Sequence, residues 1–391
     1  MHQRQYTLRG RDVQAHAVAL CQRHLGLRDH GPKTPSPVLY AVLFWAAARM
    51  ASLAAACKAL RDAPSYQAAH DALLATLPPI AQLQRRLNRA LQGDLPRALR
   101  DRPQPVAIDL HLVPYHGQPQ KDDNEVYRSK PRDGTSHFHA YATAYVIRKG
   151  QRYTCALAYV RKGQPLAGVV QELLRQAARA GVRPRYLLLD RGFWAAAVLR
   201  SLQAGRRPFV MAVPLRGRKP SHPAGPGGTR VFEVFKRGGW SRYTLAPRGQ
   251  RPVTVSVGVY CRNRRGERKR HGREALVYAY WGLRPGSLRW LKETYRTRFA
   301  IETTYRQLGQ ARIRTSTRDP LLRLLYVGIA LILRNVWVWL HWEVLSHPRR
   351  GGRRVDLPQL TFRGMLLWLQ HLAEEMLGVC DEIQTTRPVL T

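Results

Sequence analysis

Apolar positions recur at helical spacing through Val38–Met50, Ser52–Leu60 and Tyr66–Leu74, with Asp62-Ala63-Pro64-Ser65 breaking the last two apart. Residues 1–102 are therefore expected to form a helical domain. At Pro103 the pattern changes to a β-type run, Pro105–Val113. A polar stretch, Gln118–Asp133, reads as a loop. Thr135–Arg148 and Arg152–Val160 then read as two strands joined at Lys149-Gly150. Pro165–Ala180 predicts an amphipathic helix, Arg185–Leu189 a short strand, Ala195–Ala204 a helix and Pro208–Val213 another strand.

Residues 214–285 lose the helical period and are rich in Gly and Pro. Arg230–Phe235, Trp240–Leu245, Val253–Tyr260 and Ala275–Trp281 predict an antiparallel β insertion. The run Arg262–Arg273 is expected at a basic hairpin tip. Helices return over Leu288–Gln310 and Leu321–Leu345, followed by a basic linker and a helix near Phe362–Met376. The expected organisation is an α/β core over 103–213 and 286–346, the insertion over 214–285, and a linker with a C-terminal helix over 347–391.

Charge changes what this fold is expected to meet. The 391 residues hold 65 Lys+Arg against 25 Asp+Glu, a formal charge of +40, and 55 of the basic residues are Arg. Such a chain repels itself unless a polyanion is near, and guanidinium grips phosphate bidentately. A nucleic-acid partner is expected, with Arg264, Arg265, Arg268, Lys269 and Arg270 forming a phosphate-binding loop. A helix, turn and helix over 52–74 is also the pattern of a DNA-reading motif, with Tyr66, Gln67 and His70 on the second helix; an ordinary helical hairpin has the same pattern. The five cysteines show no CxxC spacing, which argues against zinc and a disulfide framework. No signal peptide is expected. The longest late apolar run, Leu324–Leu333, is closed by Arg334 and Asn335 and reads as too short to span a bilayer.

With acids so scarce, those inside apolar runs are informative. Asp109 interrupts the strand VAIDLHLV, Asp190 ends LLLD, and Glu302 lies within KETYRTRFAIETTYRQLGQ. A buried carboxylate needs hydrogen bonds, a counter-ion or a metal, and ligands gather at strand C-termini of α/β sheets. Each Asp also has a plainer reading as a cap or turn residue. On a continuous helix, Tyr295, Arg298, Glu302, Tyr305 and Gly309 share an arc of about 80°, either a polar site or a salt-bridged solvent face. The order of elements is ribonuclease-H-like, and that fold brings Asp109, Asp190 and Glu302 together at the sheet edge. Three such carboxylates suit hard divalent cations, Mg²⁺ or Mn²⁺, as a two-ion site for phosphodiester chemistry. His111, His116, His137 and His139 are read as ordinary strand histidines.

These residues resemble the DDE transposases of prokaryotic insertion sequences, in the group with a β-rich insertion before the catalytic Glu. IDLHLVPYHG around Asp109 and LLLDRGFW around Asp190 are similar to its first two motifs. Tyr295, Arg298 and Glu302 have the spacing of its third, and Gly134–Val146 is similar to a second-strand hairpin. The resemblance covers roughly 105–346. It implies metal-dependent hydrolysis at the element's ends, then attack of the freed 3′-hydroxyl on target DNA. Asp109, Asp190 and Glu302 would hold two Mg²⁺ (or Mn²⁺), and Tyr295 and Arg298 would hold phosphate. An aromatic such as Trp240 or Trp194 would stack on a flipped base or else pack in the core. The motif's final Lys is Gly309 here, which implies a substitute such as Arg306 or Arg312. The implied partners are double-stranded DNA, at element ends and target, and further copies in a dimer or larger synaptic complex. The implied location is the cytoplasm, at the nucleoid, with no membrane. A nuclease that cleaves without joining, and a non-catalytic DNA-binding regulator, remain open alternatives.

Overall fold

The computed structural model describes residues 7–119, 122–148, 152–217, 228–264, 272–350 and 352–382. Its helices in chain order are α1 (Gly10–His24), α2 (Ser36–Arg49), α3 (Leu53–Ala59), α4 (Tyr66–Thr76), α5 (Ile80–Gly93), α6 (Leu166–Arg179), α7 (Ala196–Ala204), α8 (Leu288–Arg296), α9 (Ala300–Gln310), α10 (Pro320–Trp339) and α11 (Phe362–Leu377). Its strands are β1 (Gln104–Pro114), β2 (Tyr127–Arg132), β3 (Thr135–Val146), β4 (Tyr153–Val160), β5 (Pro184–Leu189), β6 (Phe209–Ala212), β7 (Gly239–Leu245), β8 (Val253–Arg264), β9 (Gly272–Trp281), β10 (His347–Arg349) and β11 (Gly352–Arg354). The chain divides into two compact units. One comprises Met1–Pro96, His116–Glu125 and Thr304–Thr391; the other comprises Arg97–Tyr115 and Val126–Thr303.

The first unit is helical. Its predicted break at 62–65 is a capping signal, since the Ser65 hydroxyl accepts from Ala68 N at 3.2 Å to start α4, and Ser52 does the same for α3 from Ala55 N at 3.0 Å. At the start of α10, Pro320 occupies the first turn and Asp319 accepts from Leu321 N at 2.7 Å. A Cβ at Gly328 of α10 would overlap the Leu87 side chain, so glycine lets α5 approach. Arg334 and Asn335 close the ten-residue apolar run but not the helix, so the helical segment is longer than the run read as too short for a bilayer. Arg334 Nε donates to Gln307 Oε1 at 3.3 Å and Asn335 Nδ2 donates to Leu91 O at 3.2 Å, so both are accommodated in the interior. With one π-helical turn, Leu340–Val344, the segment Pro320–Val344 is therefore long and apolar enough to cross a membrane. Its most apolar window is 89% buried in the fold, as in the core helix of a helical domain.

The second unit is built on one mixed sheet with the path β2-β3-β1-β5-β6-β9-β8-β7, and β4 also pairs with β3. Strand β1 runs antiparallel to β3 (Asp109 opposite Thr143) and parallel to β5 (Ile108 opposite Leu189), and β5 runs parallel to β6. The core order β4-β3-β1-β5-β6 is that of a ribonuclease-H-like fold. Val106, Ala107 and Ile108 are all buried, as in a central strand covered on both faces. The inserted strands are antiparallel and continue this same sheet, because β9 pairs with β6 (Val210 opposite Tyr280).

Three elements differ from the sequence reading. The expected loop 118–133 contains β2, which pairs with the N-terminal part of β3 where β4 does not reach (Tyr127 opposite Phe138). The expected strand Arg230–Phe235 falls in a 3₁₀ segment, Gly228–Val234. There Thr229 Oγ1 donates to Pro214 O and accepts from Arg216 N at 2.9 Å, and Phe232 is buried against Tyr243. The expected helix Leu288–Gln310 is interrupted by a 3₁₀ turn, Thr297–Phe299. The Thr297 hydroxyl donates to Thr294 O at 2.6 Å, competing with the helical ladder and bending the chain.

Candidate active site

Asp109 and Asp190 reach the same place because their strands are parallel neighbours. Ile108 and Leu189 are paired, so the residue following each lies at the same level, Asp109 within β1 and Asp190 just past the C-terminal end of β5. Asp190 starts a short 3₁₀ turn, Arg191–Phe193, but its side chain makes no capping bond. It points to the guanidinium of Arg298, with Nη2 to Oδ1 at 3.6 Å, while Nη1 of the same guanidinium lies 3.5 Å from Asp109 Oδ2. Asp109 is 14% exposed and Asp190 35%, whereas Arg298 is only 6% exposed. The turn-capping reading of Asp190 therefore does not describe this geometry.

Arg298 lies inside the 3₁₀ interruption. The fixed helical step that put Tyr295, Arg298, Glu302, Tyr305 and Gly309 on one arc does not run through Thr297–Phe299. Tyr295 and Arg298 nevertheless converge, with Arg298 Nε donating to Tyr295 Oη at 3.1 Å. The guanidinium carbon lies 5.4 Å from the ring centroid of Tyr295 and 5.1 Å from that of Phe299. Burial disfavours the charge on Arg298, but Tyr295, Asp109 and Asp190 outweigh it and raise its pKa. Burial pushes the Tyr295 phenol well above its ordinary range and Tyr278 up to about 12, so both stay neutral hydroxyls at physiological pH.

These groups line a cleft of about 630 Å³ together with Arg191, Leu215, Glu274, Tyr278 and Phe299. Behind it, α8 seats Leu288 and Leu291 against Gly258 of β8; a Cβ there would lie 2.6 Å from Leu291 Cδ2 and 3.1 Å from Leu288 Cδ2. The close approach of α8, and so the placement of Tyr295, requires glycine at that point. Trp240, Gly258 and Tyr278 are in register across β7, β8 and β9, so Trp240 shares the face of the cleft-lining Tyr278. Trp240 is 46% exposed and meets Tyr280 edge-on at 5.7 Å, while Trp194 is half-buried beside Tyr243.

The other sequence-derived residues are not all gathered here. Glu302 lies in α9, and its side chain is outside the described residues, as are Arg265, Arg268, Lys269 and Arg270. Arg264 closes β8. Arg306 and Arg312 are exposed and belong to the helical unit. His139 is buried with its ring 4.8 Å from that of Tyr115. Sequence reasoning missed Phe299, Tyr278, Glu274 and Arg191. Phe299 had a usable signal, being a bulky aromatic directly after the motif arginine, and it is 45% exposed at the cleft.

The donor set fits a divalent cation. Two carboxylates with hard oxygens already share one positive group, the guanidinium of Arg298. Among the described residues no group of three His, Cys, Asp or Glu gathers at one point, so a third ligand would come from outside them, as Glu302 would.

Residues 100–336 match the family described as the transposase DDE domain. No curated protein matches the sequence. Among solved structures, a piggyBac transposase synaptic complex with hairpin DNA, determined by cryo-EM, is similar in fold. It is 11% identical, covers 93% of this chain and 77% of that chain, and has a TM-score of 0.53.

Proposed function

The chain belongs to the transposase DDE-domain family, and we propose that it cleaves DNA at the ends of a mobile element and joins the freed 3′-hydroxyls to target DNA. The observation that carries this reading is the convergence of Asp109 and Asp190 from adjacent parallel strands onto one guanidinium in an open cleft. Asp109, Asp190 and Glu302 are the catalytic residues and would hold two Mg²⁺ or Mn²⁺. When bound, such ions activate the attacking water or 3′-hydroxyl and stabilise the leaving oxygen of the phosphodiester.

The chain's own groups do the positioning. Arg298 offsets the mutual repulsion of the two carboxylates and presents N–H donors to a phosphate that enters between them. Tyr295, kept as a phenol, orients Arg298 and donates a hydrogen bond to a phosphate oxygen. Arg191 adds a cation at the mouth, and Phe299 and Trp240 offer ring faces to unstacked bases. Residues 103–213 and 286–346 serve as the catalytic domain, 214–285 as a DNA-covering insertion carrying the Arg264–Arg270 loop, and 1–102 as a DNA-binding domain. Residues 347–391 form the basic linker and C-terminal helix. The partner is double-stranded DNA, with Arg306 and Arg312 supplying the end contact that Gly309 lacks. The similar synaptic complex holds hairpin DNA, which supports a nucleic-acid partner. Paired cleavage of two ends calls for a dimer or larger assembly, acting in the cytoplasm at the nucleoid.

The test is cleavage of a labelled duplex carrying the element's terminal repeats, with Mg²⁺, by wild type and by Asp190→Ala. Several kcal/mol of charge stabilisation by metal ions corresponds to a loss of about 10³-fold or more in the variant. Metal-dependent 3′-end cleavage and joining by wild type alone is the expected result. Cleavage without joining would instead indicate a nuclease, and binding without cleavage by either protein would leave a DNA-binding regulator.

A further inference from the structure

The helical unit contains a further concavity, a basic one, that the catalytic reading leaves unused. It has a volume of about 350 Å³ and is lined by residues 22–28 together with Arg86 and Arg89. Its walls are the last turn of α1, the chain reversal after it, and α5. The reversal is fixed by the backbone: Leu25 N and Gly26 N both donate to Cys21 O, at 2.7 and 3.4 Å, and Gly26 has φ +63°. Arg86 Nη1 donates to Leu25 O at 2.6 Å and Gln22 Nε2 to Leu27 O at 3.2 Å, so the floor is held in place by polar side chains.

The lining contains Arg23, Arg28, Arg86, Arg89 and His24 and not one acid. Arg23, Arg28 and Arg89 have no ion-pair partner among the described residues. The nearby carboxylates are engaged elsewhere, Asp94 with His16 at 2.8 Å and Asp29 with Ser36 N at 2.7 Å. The carbonyl end of α1 offsets part of this charge, but Arg86 already occupies Leu25 O. Burial first, and then the charges of Arg23 and Arg89, hold His24 below its ordinary pKa against the opposing pull of Asp94. A concavity of mutually repelling guanidiniums is stabilised when an anion enters it.

We propose that this concavity is a binding site for a backbone phosphate of double-stranded DNA, with Arg23, Arg28 and Arg89 donating to the phosphate oxygens. This rests on the reading of the chain as a DNA-processing enzyme. It also places a DNA contact away from the second helix of the candidate helix-turn-helix. Helix α4 carries neither Lys nor Arg, and its Gln67 and His70 both bond Asp71, at 2.8 and 3.3 Å. Those hydrogen bonds, that of Gln67 foremost, hold the Asp71 carboxyl below its ordinary pKa, so this face keeps a negative charge that opposes phosphate.

The experiment compares the full-length wild type with the triple variant Arg23→Gln, Arg28→Gln and Arg89→Gln. Arg86 stays intact because it holds the turn. A charge-matched control, Arg175→Gln, Arg179→Gln and Arg207→Gln, removes three exposed arginines of the other unit. Duplex affinity is read by fluorescence anisotropy over a salt series, with Mg²⁺-dependent cleavage measured in parallel and thermal melting confirming the fold. Loss of this one phosphate contact lowers the slope of log affinity against log salt by about 1, with weakening similar for all duplex sequences. The control is expected to change the slope far less. Equal slopes for the two triple variants, or a wild-type slope in the pocket variant of an enzyme that still cuts DNA, would overturn the site. Inorganic phosphate that shifts the His24 ring resonances without any change in the DNA slope would also overturn it, leaving an anion site outside the interface. A wild type that neither binds nor cuts duplex would remove the catalytic reading along with it.

Discussion

Arginine does opposite work in the two concavities. In the sheet unit, Arg298 is buried and faces two carboxylates, so its charge is already matched by the protein. In the helical unit, Arg23, Arg28 and Arg89 surround a space with no acid in its lining, so the matching charge has to come from outside. The first arrangement stabilises the fold and presets a site for a cation and a phosphate together. The second costs stability in the free protein and regains it on binding. Exposure and neighbouring acids together separate these roles: Arg298 is buried beside two carboxylates, whereas Arg23, Arg28 and Arg89 are exposed around a lining without an acid.

The strongest way to break the contrast is Arg298→Gln. Removing one partner of a buried ionic cluster is expected to cost up to about 3 kcal/mol, the lower end for such sites because Asp190 is partly exposed. Added Mg²⁺ is expected to recover part of that loss, since a ligand that binds the folded state stabilises it. Duplex cleavage falls steeply in the same variant. Thermal melts with and without Mg²⁺ check this, and a deficit that Mg²⁺ leaves untouched would show that Arg298 is not compensating the carboxylates.

A smaller effect sharpens the other side. His24 faces Arg23, Arg89 and Asp94, and its pKa is held low in the free protein. A bound phosphate raises it, so binding takes up a proton. By linkage, DNA affinity rises as pH falls through the ordinary histidine range near 6.5, by about threefold, and His24→Gln flattens the profile. The free chain shows the reverse sign. Its low folded-state value means stability is retained above the ordinary value and declines on acidification below it. The smallest effect is expected from Gly309→Lys. Nothing lies within 4 Å of a Cβ there and Lys suits the helix better than Gly, so melting should hold or rise slightly, and affinity for element ends is read separately.

Much of this was legible in the chain. The strands carrying Asp109 and Asp190 read directly as β runs interrupted or ended by an acid, because a carboxylate in a strand interior has few bland explanations. The order of the core strands followed from the alternation of strand and helix. The edge strand β2 was not legible, since its sequence, YRSKPR, has polar alternation on both faces and is stabilised only by the far end of β3. The break in the helix before Glu302 was hidden for a similar reason: Thr297 is compatible with a helix, and only its hydrogen bond to Thr294 O reveals the bend. The basic pocket was invisible because Arg23 and Arg28 are separated from Arg86 and Arg89 by some sixty residues and meet only through the packing of α1 on α5.

The continuity of the sheet through β6 and β9 bears on how this protein can be re-engineered or shortened. An insertion that merely looped out could be excised or exchanged with a relative's. Here, excision of 214–285 would strip β6 of its neighbour and bare a row of unpaired backbone groups, a template for aggregation. It would also delete Tyr278 and Glu274 from the cleft wall. The segment is thus less an accessory than the outer half of the sheet, and any graft would have to carry β9 in register with Phe209–Ala212.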